Sequence, residues 1–127
     1  MKDETLESLC ARRSIRKYKP DQIASETLEA VLRAGTYAPS GMNRQSAAIV
    51  VVQDRETRDL LSLINAQIMG TDGDPFYGAP TVLVVFADSR CPTYVEDGSL
   101  VLGNLLNAAY AAGLGSCWIH RARQTFE

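Results

Sequence analysis

The residues best equipped for chemistry stand near the amino end, in Arg12-Arg13-Ser14-Ile15-Arg16. Three guanidinium groups and a hydroxyl so close together can surround a phosphate, because arginine donates in a planar fork matched to phosphate oxygens. In an extended backbone Arg12, Ser14 and Arg16 point one way and Arg13 and Ile15 the other. A solvated basic patch, or a surface for nucleic acid, is equally open to so short a run. Neither G-x-G-x-x-G nor G-x-x-x-x-G-K-[ST] occurs in the chain. A Rossmann cofactor or a P-loop nucleotide is therefore disfavoured, and any phosphate must be held mainly by side chains.

Two further segments carry polar groups in shaped backbone. In Pro39-Ser40-Gly41-Met42-Asn43-Arg44-Gln45, the side chains of Ser40, Asn43 and Gln45 offer donors and acceptors, and Gly41 lets another group approach the backbone. Such a loop can read the polar edge of a planar heterocycle, or can simply connect a helix to a strand. In Gly113-Leu114-Gly115-Ser116-Cys117-Trp118-Ile119-His120, the backbone at Ser116 to Trp118 can line a pocket with Trp118 as its aromatic wall. Cys117 and His120 raise the possibility of a thiol-imidazole enzyme. Three positions apart on a strand, they point to opposite faces, which favours a buried structural cysteine.

Composition narrows the classes. Lys and Arg number 13 against 15 Asp and Glu, a formal net charge of −2, which argues against a protein built to coat nucleic acid. With 46% apolar residues, the 127-residue chain can bury the core of one domain, and disorder is not expected. No apolar run approaches the length needed to span a bilayer, and the first residues lack the apolar core of a secretory signal. Cys10, Cys91 and Cys117 form no C-x-x-C pair, and with His120 the sole histidine no zinc or other metal site is expected. Free thiols in a reducing cytoplasm fit best.

The elements that must position these residues read as follows. Residues 4–13 have helical spacing of Leu6, Leu9 and Cys10. Ser25 is an N-cap for a helix over Glu26 to Ala34, with Leu28, Val31 and Leu32 inward and Gly35 as its stop. Ala47 to Val52 is a β-branched run, read as a strand buried on both faces. Asp54 caps a helix whose apolar positions are Leu60, Leu61, Ile64 and Ile68. A long turn-rich loop, Gly70 to Pro80, precedes a second fully buried strand, Thr81 to Ala87. Ser99 to Ala112 is apolar nearly all round, so it must be surrounded by protein, and in a short chain a second subunit is one way to surround it. Asn104 and Asn107 interrupt that surface and need partners. Ser116 to His120 reads as a third strand, and a new helix begins over Arg121 to Glu127. The order gives a layered α/β or α+β sheet flanked by helices.

Taken together and in order, these segments resemble the nitroreductase family of flavoproteins. The likeness rests on the Arg12 to Arg16 loop, on Ala38 to Gln45, on the strand Ala48 to Val52 and on Gly78-Ala79-Pro80 before Thr81 to Val85. It is completed by Asp97-Gly98-Ser99 leading a buried helix into Gly113-Leu114-Gly115-Ser116-Cys117-Trp118. The resemblance implies a single domain over residues 1–127 with a three-layer α+β fold, a mixed sheet, and a homodimer holding FMN at its interface. It implies FMN contacts from Arg12, Arg13, Ser14 and Arg16 to the phosphate and ribityl chain. Pro39, Ser40, Gly41, Met42, Asn43 and Gln45 would reach the flavin from the partner subunit, and Ser116, Cys117, Trp118 and Ile119 would lie beside the ring. The implied activity passes a hydride from NADH or NADPH through flavin N5 to a nitroaromatic, quinone or similar acceptor, with no catalytic side chain because the flavin carries the chemistry. Family members usually continue further, so the domain is C-terminally short, and His120 and Arg121 stand where some members have a Glu-Gly pair. A flavin-binding module without turnover is the alternative.

Overall fold

The computed structural model describes residues 3–127. Helix α1 spans Glu4–Ala11, α2 Ser25–Thr36, α3 Arg55–Met69 and α4 Tyr94–Ala111; strands β1 (Ala47–Val52) and β2 (Val82–Ala87) complete the regular elements, with short 3-10 turns at Gly41–Asn43 and His120–Thr125. This is an α+β arrangement, as expected from the sequence. Among the described residues the sheet has two strands, paired antiparallel with Ala47 opposite Ala87 and Val52 opposite Val82. Ser116 to His120 does not form the expected third strand, and among the described residues the sheet is purely antiparallel rather than the mixed sheet the resemblance implies. The Ser116 carbonyl instead accepts the backbone N–H of Ile15 at 3.0 Å, which ties this stretch to the arginine loop.

The core sits between one face of the sheet and helices α2 and α4. Val31, Val101 and Leu105 are its buried centre, with Ile49, Leu83 and Val85 of the sheet packed on them. Gly35 lies inside α2 and does not stop it; a Cβ there would meet Leu105 Cδ2 at 2.6 Å, so only glycine lets the two helices approach this closely. Asn104 donates to the Ala34 carbonyl at 2.8 Å across the same contact, which gives one of the two asparagines its partner. On the opposite sheet face, Phe86 meets Phe126 edge-on at 4.9 Å.

Several expectations shift. Helix α1 ends at Ala11, because Arg12 turns extended at φ −56° and ψ 141°. Helix α2 starts at Ser25 itself, with Ala24 in the capping position and no side-chain cap. Neither strand is buried on both faces: Val50 is 45% exposed, and Val51 and Phe86 are exposed too. On α3 the buried residues are Arg58, Ser62, Asn65 and Ala66, whereas Leu60 and Ile68 face outward. That inner face is polar because Arg58 and Ser62 bind Asp74 of the following loop and Asn65 donates to Thr125 of the last 3-10 turn. Asp54 does cap α3, accepting the Thr57 N–H at 2.9 Å. Helix α4 begins five residues earlier than Ser99 and so contains Asp97 and Gly98, both buried. Its Leu100 and Tyr110 are exposed in the protomer. The last segment is a 3-10 turn rather than a new α-helix.

Candidate functional site

The arginine loop begins where α1 ends. Arg12 caps the helix through its N–H to the Ser8 carbonyl, while its guanidinium Nη1 is buried without a hydrogen-bond partner. A buried donor left unpaired is costly, so this group is an anomaly that a ligand's oxygens or a rearranged side chain would relieve. Arg13 is committed differently: its Nη1 donates to the carbonyls of Cys10 at 2.8 Å and Arg12 at 2.7 Å. Ser14 and Arg16 are exposed. Among the described residues no carboxylate forms an ion pair with Arg12, Arg13 or Arg16.

Two of the three predicted segments meet here. Besides the Ile15–Ser116 hydrogen bond, a Cβ on Gly115 would lie 3.2 Å from the Ile15 side chain, so the strand-like stretch and the loop are in close contact. The Tyr18 hydroxyl donates to the Ile15 carbonyl. Burial, and then the proximity of Cys117, push its pKa up to about 12. Cys117 is half-buried rather than fully buried, with its Sγ 3.7 Å from the Trp118 carbonyl. His120 packs edge-on against Trp118 at 5.2 Å, and nothing pairs it with Cys117. Trp118 is 53% exposed, an aromatic face open to a partner.

The third segment lies elsewhere. Ser40 to Gln45 folds against the start of α4, where Gly41 donates its backbone N–H to Asp97 Oδ1 at 2.9 Å. Within the loop, Ser40 Oγ accepts the Gln45 N–H at 3.0 Å and Gln45 Nε2 donates to Asn43 Oδ1 at 3.1 Å. Met42, Asn43 and Gln45 all hold positive φ, between 52° and 54°. Beneath the loop, a cavity of about 330 Å³ is lined by Pro39, Ser40, Gln45, Thr36 and Val101 among others. The arginine loop and the 116–119 stretch follow the far end of α4. From Asp97 to Ala111 a helix rising 1.5 Å per residue covers about 21 Å.

Asp97 carries no functional signal in the sequence, because a helix beginning at Ser99 leaves it in a loop, whereas α4 contains it on its buried face. A helix start at Tyr94 places it there. Arg58 carries no such signal either. It is 8% exposed, pairs with Asp74 at 2.5 Å and donates to the Ala79 carbonyl at 2.8 Å, so the long loop before β2 is bolted to α3. Burial alone would raise the Asp74 pKa, but hydrogen bonds from Arg58, Ser62, Phe76 and Gly78 outweigh it and hold the group at about 2. Among the described residues no cluster of three His, Cys, Asp or Glu is placed to hold a metal ion, and no helix is long and apolar enough to cross a membrane.

The fold is shared with flavoprotein oxidoreductases of known structure. A Bacteroides fragilis nitroreductase with bound FMN superimposes with a TM-score of 0.86 at 30% identity, covering 94% of this chain and 71% of that one. An FMN-dependent nitroreductase of Clostridium difficile gives 0.83 at 35% identity, covering 91% and 59%. An Archaeoglobus fulgidus protein named "Putative NADH dehydrogenase/NAD(P)H nitroreductase" is 36% identical over 122 residues, 92% of this chain and 67% of its own. The chain spans about two thirds of the length of the curated relatives it matches, 67% and 61% for the first two. The Nitroreductase family model matches residues 9–124, and the chain belongs to that family.

Proposed function

We propose that this chain is an FMN-dependent NAD(P)H oxidoreductase that works as a homodimer in a reducing compartment such as the cytoplasm. The observation that carries the reading is the separation of the two polar loops by α4. A ligand cavity of ordinary size is roughly 10 Å across. Arg12 to Arg16 and Ser40 to Asn43 lie toward opposite ends of α4, about 21 Å of helix apart, so they are poorly placed to grip one small molecule from the same protomer. A second copy can bring them together, with α4 near the contact through its exposed Leu100 and Tyr110.

The residues present fit the group. Arg12 has an uncommitted guanidinium nitrogen, and Ser14 and Arg16 have no carboxylate partner among the described residues. That donor set suits the terminal phosphate of FMN. Trp118 and the backbone from Ser116 to Ile119 would form one side of the ring's site. Pro39, Ser40, Gly41, Met42, Asn43 and Gln45 would come from the other subunit. When bound, FMN would supply the two-electron carrier between NADH or NADPH and an oxidised acceptor such as a nitroaromatic or quinone. The chain's own part is to bind and orient the ring, to exclude water from one face, and to place cationic donors near developing negative charge.

The test is the visible spectrum of the purified protein, with FMN added and then NAD(P)H. Flavin absorbance that co-purifies or titrates in, and bleaches with NAD(P)H, supports the reading. A protein that stays colourless and leaves FMN fluorescence unchanged overturns it. FMN bound without bleaching would leave a flavin-holding module instead of an enzyme.

A further inference from the structure

Asp97 is 2% exposed, yet it carries a carboxylate in the first turns of α4. Burying a carboxylate is costly unless its oxygens are well supplied with donors. Here they are. Oδ1 accepts the Gly41 backbone N–H at 2.9 Å, while Oδ2 accepts Ser46 Oγ at 2.7 Å and Thr93 Oγ1 at 3.1 Å. These hydrogen bonds, from Ser46 first and then from Gly41, keep the carboxyl below its usual range, so it stays charged at neutral pH.

The two chain positions held by this one carboxylate, Gly41 and Ser46, bracket the strained part of the loop. Between them Met42, Asn43 and Gln45 have left-handed backbone. That conformation is unfavourable for residues with a Cβ and persists only where the surroundings over-determine it. The fit at Gly41 is tight as well: a Cβ there would lie 2.2 Å from Thr93 Oγ1. The loop is thus pressed onto the start of α4 with room for glycine alone. The strained residues project away from it, and Met42 is 85% exposed.

We propose that Asp97 is the positioning residue of the 40–45 loop, clamping Gly41 and Ser46 so that Met42, Asn43 and Gln45 are already in shape before a ligand arrives. The assignment of a flavin as that ligand rests on the function proposed above. The clamp itself does not. Asp97 touches no ligand on this reading; it acts through the loop, so its loss alters placement rather than charge at the ring.

The experiment uses the full chain and two readouts. In flavin-free protein, amide hydrogen exchange at Gly41 and its neighbours reports the clamp. In FMN-titrated protein, fluorescence quenching gives affinity and the visible spectrum reports the ring's surroundings. Asp97→Ala, which removes the acceptor altogether, should speed exchange at Gly41 by about tenfold or more, the equivalent of a lost hydrogen bond to a charged group. It should also weaken FMN binding and shift the bound flavin's spectrum, while exchange across β1 stays unchanged. If Asp97→Ala fails to fold, Gly41→Ala attacks the same contact from the loop side. Unchanged exchange at position 41 and its neighbours in Asp97→Ala, or in Gly41→Ala where Asp97→Ala does not fold, overturns the clamp. Faster exchange with no FMN uptake by the wild-type protein upholds the clamp and overturns the flavin assignment.

Discussion

The arginine loop and the 40–45 loop solve opposite problems. The first is held chiefly through its backbone, at Ile15 to Ser116, and leaves Arg12 Nη1 without a partner. The second spends its own polar groups inward, on Ser40 Oγ, Asn43 Oδ1 and the carboxylate of Asp97, and carries three left-handed residues. One loop keeps donors in reserve, and the other is set in advance. The contrast teaches that binding strength should reside near the amino end, whereas geometry should reside at the start of α4.

Breaking the spacer between them should have the largest effect. Leu105 is 5% exposed at the centre of the core, and Leu105→Ala should cost about 2–5 kcal/mol in urea unfolding, with both loops loosened together. Loss at one end only would show that α4 does not couple them. Arg12→Ala should weaken FMN binding by about 1.5–3 kcal/mol, the size of a lost hydrogen bond to a charged group, with little change in unfolding midpoint. Equal losses of binding and stability would erase the distinction between the loops.

A third loop supplies a control. Asp74 has its folded pKa depressed to about 2, so it stabilises the fold fully above the ordinary carboxylate range and less as pH falls toward 2. Lowering the pH from 6 to 2.5 should remove about 1–2 kcal/mol through this group, allowing for its partial exposure. Asp74→Asn should flatten that part of the pH profile, and an unaltered profile would place the acid sensitivity elsewhere. The smallest effect is expected at Arg13. Its Nη1 already serves the end of α1 at the Cys10 carbonyl, so Arg13→Ala should cost about 0.5 kcal/mol of stability and change FMN titration less than Arg12→Ala does.

Much of this was legible in the residues. Hydrophobic runs located both strands and the central helix, and Asp54 was correctly read as a cap, because these are local patterns with local causes. The third strand was not legible in the same way. Ser116 to His120 has strand-like composition, but a strand forms only when another offers a ladder, and here its carbonyl meets a loop instead. The start of α4 was misplaced for a related reason. Asp97 and Gly98 look like loop residues in isolation, and only the donors at Gly41, Ser46 and Thr93 make a buried aspartate inside a helix tolerable. Arg58 likewise looks like a surface charge until Asp74 is brought to it from sixteen residues away. The arginine loop was recognised by type and spacing, but the sequence could not tell that Arg12 and Arg13 divide their labour, since that depends on where α1 stops.

Gly35 has one more consequence. With Leu105 lodged against it and Asn104 fastened to the neighbouring carbonyl, α2 and α4 cannot slide or part independently. The pair therefore forms a single opening unit, and its amides should exchange with one common rate under mild denaturant. The segment leading from α2 into Pro39 inherits that rigidity, so thermal wandering of the loop beyond it is damped from both ends.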